Sequence, residues 1–195
     1  MRQYSIDARN IKNPIYPCPI QMGGKNANGQ MLSIGNYYLS LDGKPFFGVC
    51  GEAHFSRMNR ELWEDEIIKM KAGGLNIIAT YIFWIHHEEI EGTFDFSGNK
   101  DLRIFLELCK KNHMYVILRI GPFSHGECRN GGFPDWIYGQ PFDIRCDDPS
   151  YLYYTRRFYE QIYQQAKGLL FKDNGPVIGV QLENEHEHAS CPWEM

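Results

Sequence analysis

The sequence has little of what would mark it for nucleic acid or a membrane. Its formal charge is −4 and no long run of Lys or Arg occurs, so there is no electrostatic footprint for a phosphate backbone or an anionic bilayer. No apolar run reaches the roughly 18 residues at which a spanning helix is suspected. The opening MRQYSIDARN lacks the apolar core of a signal peptide, so the chain as given is expected to be cytoplasmic, or periplasmic or secreted if an upstream leader is missing. Six cysteines (Cys18, Cys50, Cys109, Cys128, Cys146, Cys191) include no CxxC pair. In a chain too large to need staples they read as reduced thiols. Neither GxGxxG nor GxxxxGK[ST] follows a predicted strand, which removes the usual nucleotide reading.

What is present is an ordinary globular composition. At 195 residues, 43% hydrophobic and 23% charged, the chain can bury a substantial core and reads as one domain or part of a larger one. Aromatics, 14% of the residues, gather at strand ends and in loops, where flat apolar faces suit sugar rings as well as core packing.

Residues 1–32 are polar and rich in Gly, Pro and Asn, so PIYPCPI and GGKNANG predict extended and turn backbone. A hairpin is expected from Tyr37–Leu41 and Phe46–Cys50 around Asp42-Gly43-Lys44-Pro45, its second arm running on into the first strand of a second unit. Residues 1–44 are thus a lead-in with a hairpin arm, and residues 45–195 are the second unit. In that unit Asn59 is a candidate N-cap for a helix with Leu62, Trp63, Ile67 and Met70 on one stripe, ended by Gly73-Gly74. LNIIATYIFW reads as a buried strand. Asn99 is a candidate cap for a helix carrying Leu102, Phe105, Leu106 and Cys109, and MYVILRIG is the third strand. Asp148-Pro149 opens a third helix with Leu152, Phe158, Ile162, Ala166 and Leu169 on one face, and PVIGVQLENE is the fourth strand.

Strands apolar on both faces that alternate with helices predict a parallel α/β sheet covered by helices. Every strand ends in polar and unusual residues: GEAHFSR, TYIFWIHHE, RIGPFSHGE and LENEHEH. A doubly wound sheet concentrates its site at one switch point, whereas a (β/α)₈ TIM barrel loads all its C-terminal strand ends. Four loaded ends favour the barrel. Such a barrel takes about 250 residues, so this chain is expected to cover the first four strands. The fourth end poses a further question. Glu183, Glu185 and Glu187 alternate along VIGVQLENEHEH, and on a straight strand they would crowd on one face. Either the backbone bends there or something binds.

RIGPFSHGECRNGGFPDW and QLENE, with GEAHFSR and GGLNIIATYIFW, resemble the N-terminal half of a glycoside hydrolase family 35 β-galactosidase, a retaining member of a large (β/α)₈ clan. The resemblance runs from about Tyr37 to Glu185. It implies that Glu185 is the general acid/base, that Asn184 holds the sugar 2-hydroxyl, that Glu127 and Tyr81 contact galactose hydroxyls, and that the Gly126 backbone lies close to the ring. It implies a carbohydrate partner with terminal β-galactose and no cofactor. The chemistry is consistent, since a protonated carboxyl must serve the leaving oxygen and a 2-hydroxyl contact strengthens in the transition state. The nucleophile, a second carboxylate about 5–5.5 Å away, is expected beyond Met195, so this chain alone is expected to be inactive. Another retaining β-glycosidase of the clan, or an inactive sugar-binding half-barrel, are the other readings. Three positions depart from the family: Ile85 after the FW, Gly126-Glu127-Cys128 around the loop acid, and His186-Glu187 after the Asn-Glu pair.

The remaining chemistry-bearing residues have plain alternatives. His54 and Arg57 either orient the crowded carboxylates or form structural ion pairs. Arg119, inside the third strand, is expected to be a buried counter-ion for Glu183 or Glu185. Phe83, Trp84 and Trp136 are expected in core or rim packing rather than stacked on sugar. His86-His87 and EHEH match no zinc spacing, so no metal is expected. Cys128 has no activating triad.

Overall fold

A computed structural model describes residues 3–5, 14–20 and 22–186. Two four-stranded sheets succeed one another along the chain. The first is antiparallel: β1 (Gly23–Lys25), β2 (Met31–Ile34), β3 (Leu39–Leu41) and β4 (Lys44–Phe46), paired in sequence order. The predicted hairpin is its last pair, turning at Asp42-Gly43, where both residues have positive φ. The lead-in is more ordered than its composition suggested. Asn26 accepts from the Gln30 N–H at 2.9 Å and closes the β1–β2 turn, a job for which a short amide side chain is suited.

The second sheet is parallel, in the order β5 (Cys50–Glu52), β6 (Ile77–Tyr81), β7 (Tyr115–Gly121) and β8 (Val177–Leu182). Helices α1 (Trp63–Ala72), α3 (Leu102–Lys111) and α4 (Pro149–Ala166) make the crossovers, and a single turn, α2 (Trp84–His87), comes after β6. Neighbouring helices pack α1 on α3 and α3 on α4, over a core that includes Trp63, Ile67, Ile78, Phe105, Leu106, Val116, Leu118, Phe158 and Ile162. Each fully buried side chain of this size is worth about 1.5–3 kcal/mol of transfer free energy.

The caps fall close to the predicted places, with instructive shifts. Asn59 accepts from the Glu61 N–H and caps a 3₁₀ turn, Arg60–Leu62, so that α1 starts only at Trp63 and Leu62 is left exposed. At α3 the cap is Asp101, which accepts from the Ile104 N–H at 3.0 Å. Asn99 sits in the preceding turn and accepts from the Arg60 N–H instead. Asp148 caps α4 as expected, through the Ser150 and Tyr151 N–H groups. The buried stripe of α4 is Tyr151, Thr155, Phe158, Ile162 and Ala166, whereas Leu152 points outward.

Register fixes which side chains meet. Glu52, Ala79, Ile117 and Gly179 stand in one row across the parallel sheet, and Tyr81, Arg119 and Gln181 in the next. These rows lie on the face away from the helices. On the helix side, β8 leaves Val180 and Leu182 exposed, at 53% and 66%. Among the described residues the outer edges of β5 and β8 have no strand beside them.

Candidate active site

The site is assembled at the C-terminal ends of the four parallel strands. Arg119, from β7, is its hub. Its Nη1 donates to Glu52 Oε2 at 2.5 Å, its Nε to Gln181 Oε1 at 3.0 Å, and its Nη2 to Asn184 Oδ1 at 3.0 Å. Its guanidinium also lies 3.7 Å from the centre of the Tyr81 ring. The expected partners of this arginine, Glu183 and Glu185, are therefore corrected to Glu52. The row register explains the change, because Glu52 is one row below Arg119, while the chain leaves the strand before Glu183 and Glu185.

Asn184 is oriented by this network. A guanidinium only donates, so the amide must turn Oδ1 toward Arg119, and Gln181 Nε2 adds a second, longer bond to the same oxygen at 3.3 Å. The Asn184 NH₂ group makes no hydrogen bond to the described residues, and the side chain is half-buried. An amide so fixed offers N–H to an acceptor such as a hydroxyl oxygen.

The crowding of glutamates is resolved by the backbone. After Leu182, both Glu183 (φ 57°) and Glu185 (φ 47°) take left-handed conformations, which cost about 1–2 kcal/mol each for non-glycine residues. The alternation is broken, and the two carboxylates part. Glu183 turns back into the protein, accepting from the Phe123 N–H at 3.0 Å and from Arg145 at 2.7 Å. Glu185 points into the open, 3.7 Å from His125 Nδ1. Glu187 and His188 lie outside the described residues.

His54 links two strands. Its Nδ1 accepts from the Tyr81 N–H at 3.2 Å, so Nε2 carries the proton and donates to Glu52 Oε1 at 3.1 Å. Burial holds the imidazole below its usual range, against the pull of Glu52 and with help from Arg57 and Arg119. It is neutral at pH 7 and acts as an orienting donor. Arg57 donates to the Gly126 carbonyl at 2.7 Å and stacks 4.3 Å from the Phe83 ring centre.

The loop after β7 carries the other expected residues. Gly126 has φ +49° and approaches so closely that a Cβ there would sit 3.1 Å from the Phe83 ring. Glu127 is exposed. The GGFPDW segment braces this loop: the Gly131 carbonyl accepts from the Ser124 and His125 N–H groups at 2.7 and 3.1 Å. A Cβ on Gly131 would fall 1.9 Å from the Phe123 ring, so only glycine fits.

Tyr81, buried at the end of β6, lies among these groups. Burial pushes its hydroxyl up to about 12, Arg119 opposes, and the nearby charges of Glu52, Glu185 and Glu127 push it further up. It therefore stays protonated. A cavity of about 430 Å³ is lined by Arg57, Ile85, His86, Glu127, Cys128 and Arg129, among others, but not by Tyr81, Asn184 or Glu185. Two of the residues singled out as departures, Ile85 and Cys128, are thus in its wall.

The remaining candidates go elsewhere. Trp84 is fully buried and stacked on Phe158 at 4.9 Å, and Trp136 packs edge-on against Trp84. His86 Nδ1 is 2.9 Å from Ser56 Oγ, and His87 is buried. Among the described residues no three His, Cys, Asp or Glu are grouped to hold a metal ion, and Cys18, Cys50, Cys109, Cys128 and Cys146 are free thiols. Two residues of the site, Arg145 and Gln181, do not stand out in the sequence. Gln181 shares the alternation that places Glu183, and that is the signal the sequence holds for it; Arg145 stands alone in an irregular loop and has none.

Comparison with known proteins places these strand ends in a wider context. A family model, glycosyl hydrolases family 35, matches residues 38–194. A β-galactosidase of Xanthomonas manihotis is 39% identical over 146 residues, which is 74% of this chain and 24% of that protein. A β-galactosidase of Homo sapiens is 38% identical over 176 residues, 88% of this chain and 26% of that protein. Among solved structures, an exo-β-1,4-mannosidase from Opitutaceae bacterium strain TAV5 superimposes with a TM-score of 0.56 at 17% identity, covering 83% of this chain and 26% of that one. This chain spans about a quarter of the length of the curated relatives it matches.

Proposed function

We propose that this chain, which belongs to glycosyl hydrolases family 35, supplies the acid/base half of a retaining β-galactosidase, with residues 45–195 forming the N-terminal half of a (β/α)₈ barrel. The observation that carries the reading is the pairing at the β8 tip: an Asn184 amide locked by Arg119, its NH₂ without an acceptor among the described residues, beside a Glu185 carboxyl open to solvent. In this reading Glu185 protonates the leaving oxygen and later activates water, while Asn184 donates to the sugar 2-hydroxyl. Glu127 and the protonated Tyr81 hydroxyl bind galactose hydroxyls, and the Gly126 backbone lies close to the ring.

Double displacement also needs a carboxylate that attacks the anomeric carbon, about 5–5.5 Å from the acid. The nearby carboxylates are otherwise engaged, Glu52 by Arg119 and His54, and Glu183 by Arg145 and the Phe123 N–H. We assign the nucleophile to the part of the relatives that this chain does not cover. The exposed edge of β8 and the uncovered Val180 and Leu182 fit a sheet continued by further strands and helices.

The test is hydrolysis of a panel of chromogenic glycosides by the full-length gene product, with the product anomer followed by NMR. Turnover of β-galactosides with retained configuration is expected. Turnover confined to another glycoside would move the protein to a different retaining specificity of the clan, and no turnover of any would favour a sugar-binding role.

A further inference from the structure

Resting on the acid/base reading of Glu185, we propose that Arg145 is a positioning residue: its guanidinium holds the main chain of the β8 tip so that the Glu185 carboxyl faces the substrate, the Asn184 side chain being held separately by Arg119. Arg145 lies in the irregular segment before α4, itself at φ 60°, and its side chain is fully buried. Nη2 donates to two successive carbonyls, Asn184 O at 2.7 Å and Glu185 O at 3.1 Å. Nε donates to Glu183 Oε2 at 2.8 Å. The guanidinium plane rests 3.9 Å from the centre of the Phe123 ring, whose own N–H donates to the other oxygen of Glu183.

These contacts have a geometric consequence. Fixing two consecutive carbonyls toward one cation fixes the peptide plane between Asn184 and Glu185. The left-handed residues on either side, Glu183 and Glu185, are what brings both carbonyls round to the same side. Arg145 thus holds in place a turn that glutamates do not favour by themselves. It also neutralises Glu183, so the neighbouring acid does not sit beside an unpaired carboxylate. Arg119 acts on the same tip through the Asn184 side chain, whereas Arg145 acts through its backbone. A lysine could keep the charge beside Glu183, yet a single ammonium on a flexible stem cannot reproduce the planar fork across three acceptors.

The test uses the full-length enzyme with Arg145→Lys, assayed on an alkyl β-galactoside, whose poor leaving group needs the acid, and on an activated aryl β-galactoside, which does not. The expected result is a loss of about 100-fold in kcat/KM on the alkyl substrate and less than about tenfold on the aryl one. Adding Arg145→Lys to Glu185→Gln should cost little beyond Glu185→Gln alone, because both act on one proton transfer. Equal losses on the two substrates that track a lowered Tm, or additive losses in the double variant, would overturn the positioning role. Should Arg145→Lys fail to fold, Glu183→Gln, which keeps the shape and weakens the anchor, is expected to show the same leaving-group selectivity, and equal losses there would be as damaging. A wild-type enzyme that cleaves neither these galactosides nor any other glycoside of the panel would remove the acid/base reading itself, whereas an active one with unselective variants removes only the inference about Arg145.

Discussion

The cluster behind β6, formed by Trp84, His87, Glu88 and Arg157, is built from much the same residue types as the cluster at the strand tips, His54, Glu52, Tyr81 and Arg119, and differs in where its hydrogen bonds end. The Glu88 side chain is 1% exposed and accepts from Trp84 Nε1 at 2.6 Å, the Gly92 N–H at 2.8 Å and Arg157 at 3.4 Å. His87 is stacked between Phe96 and Phe55 and donates from Nδ1 to the Asp95 carbonyl at 2.9 Å. At the strand tips, by contrast, Glu52 is 44% exposed, Glu185 opens to solvent and the Asn184 NH₂ has no acceptor among the described residues. A polar group that spends its hydrogen bonds inside the fold serves stability. One held rigidly by some of its valences with others outward is arranged for a ligand.

The contrast breaks most visibly at Glu185. In the full-length enzyme Glu185→Gln is expected to lower kcat/KM on an alkyl galactoside by about 10²–10⁴-fold and much less on an activated aryl one, with Tm nearly unchanged. A loss equal on both substrates would take the acid role away from this residue. Glu88→Ala should behave in the opposite way. It leaves the Trp84 and Gly92 donors and Arg157 without their acceptor, and should destabilise the fold by about 3 kcal/mol while sparing kcat/KM well below the melt. Calorimetry beside kinetics reads both.

His87 gives the next effect, through pH. Its Nε2 is buried without a partner, so a proton there would be a buried unpaired charge, and burial depresses the imidazole from 6.5 to about 4. The unfolded chain therefore binds the proton first. Stability from this group is complete above about pH 6.5 and falls by up to roughly 3 kcal/mol as pH drops toward 4. The slope of Tm against pH in that window should flatten in His87→Phe; an unchanged slope would assign the acid sensitivity to other groups. The smallest effect expected is at Asn184. Asn184→Ala should cost about 2–3 kcal/mol of transition-state binding, and a 2-deoxy galactoside should be nearly indifferent to it. A 2-deoxy substrate that still feels the substitution would make Asn184 a structural member of the Arg119 network.

Much of this architecture was legible from the chain. Strand–helix alternation and continuous apolar runs announced the parallel sheet, Asp148-Pro149 announced α4, and the polar residues after each strand announced the end at which Glu52, Tyr81, Arg119 and Asn184 meet. The structure departs from the sequence expectation locally. Asn99 and Asp101 are both good caps, and only the turn of the chain at Gly98–Lys100 decided that Asp101 takes α3. The lead-in looked irregular because its strands are three or four residues long, too short for periodicity to register.

Residue types and their order alone determined the class of the fold, the loaded strand ends and the Asn184–Glu185 pair, because burial periodicity and strand polarity are properties of neighbours in the chain. Which charges meet was decided by tertiary structure. Arg119 reaches Glu52 across 67 residues and Arg145 reaches Glu183 across 38. Those pairings depend on strand register and on two left-handed glutamates that reverse the expected alternation. Sequence spacing places carboxylates at intervals along a strand, but only the bend at the strand's end, held in place by a cation from a distant loop, determines which of them turns inward as an anchor and which is left facing the solvent.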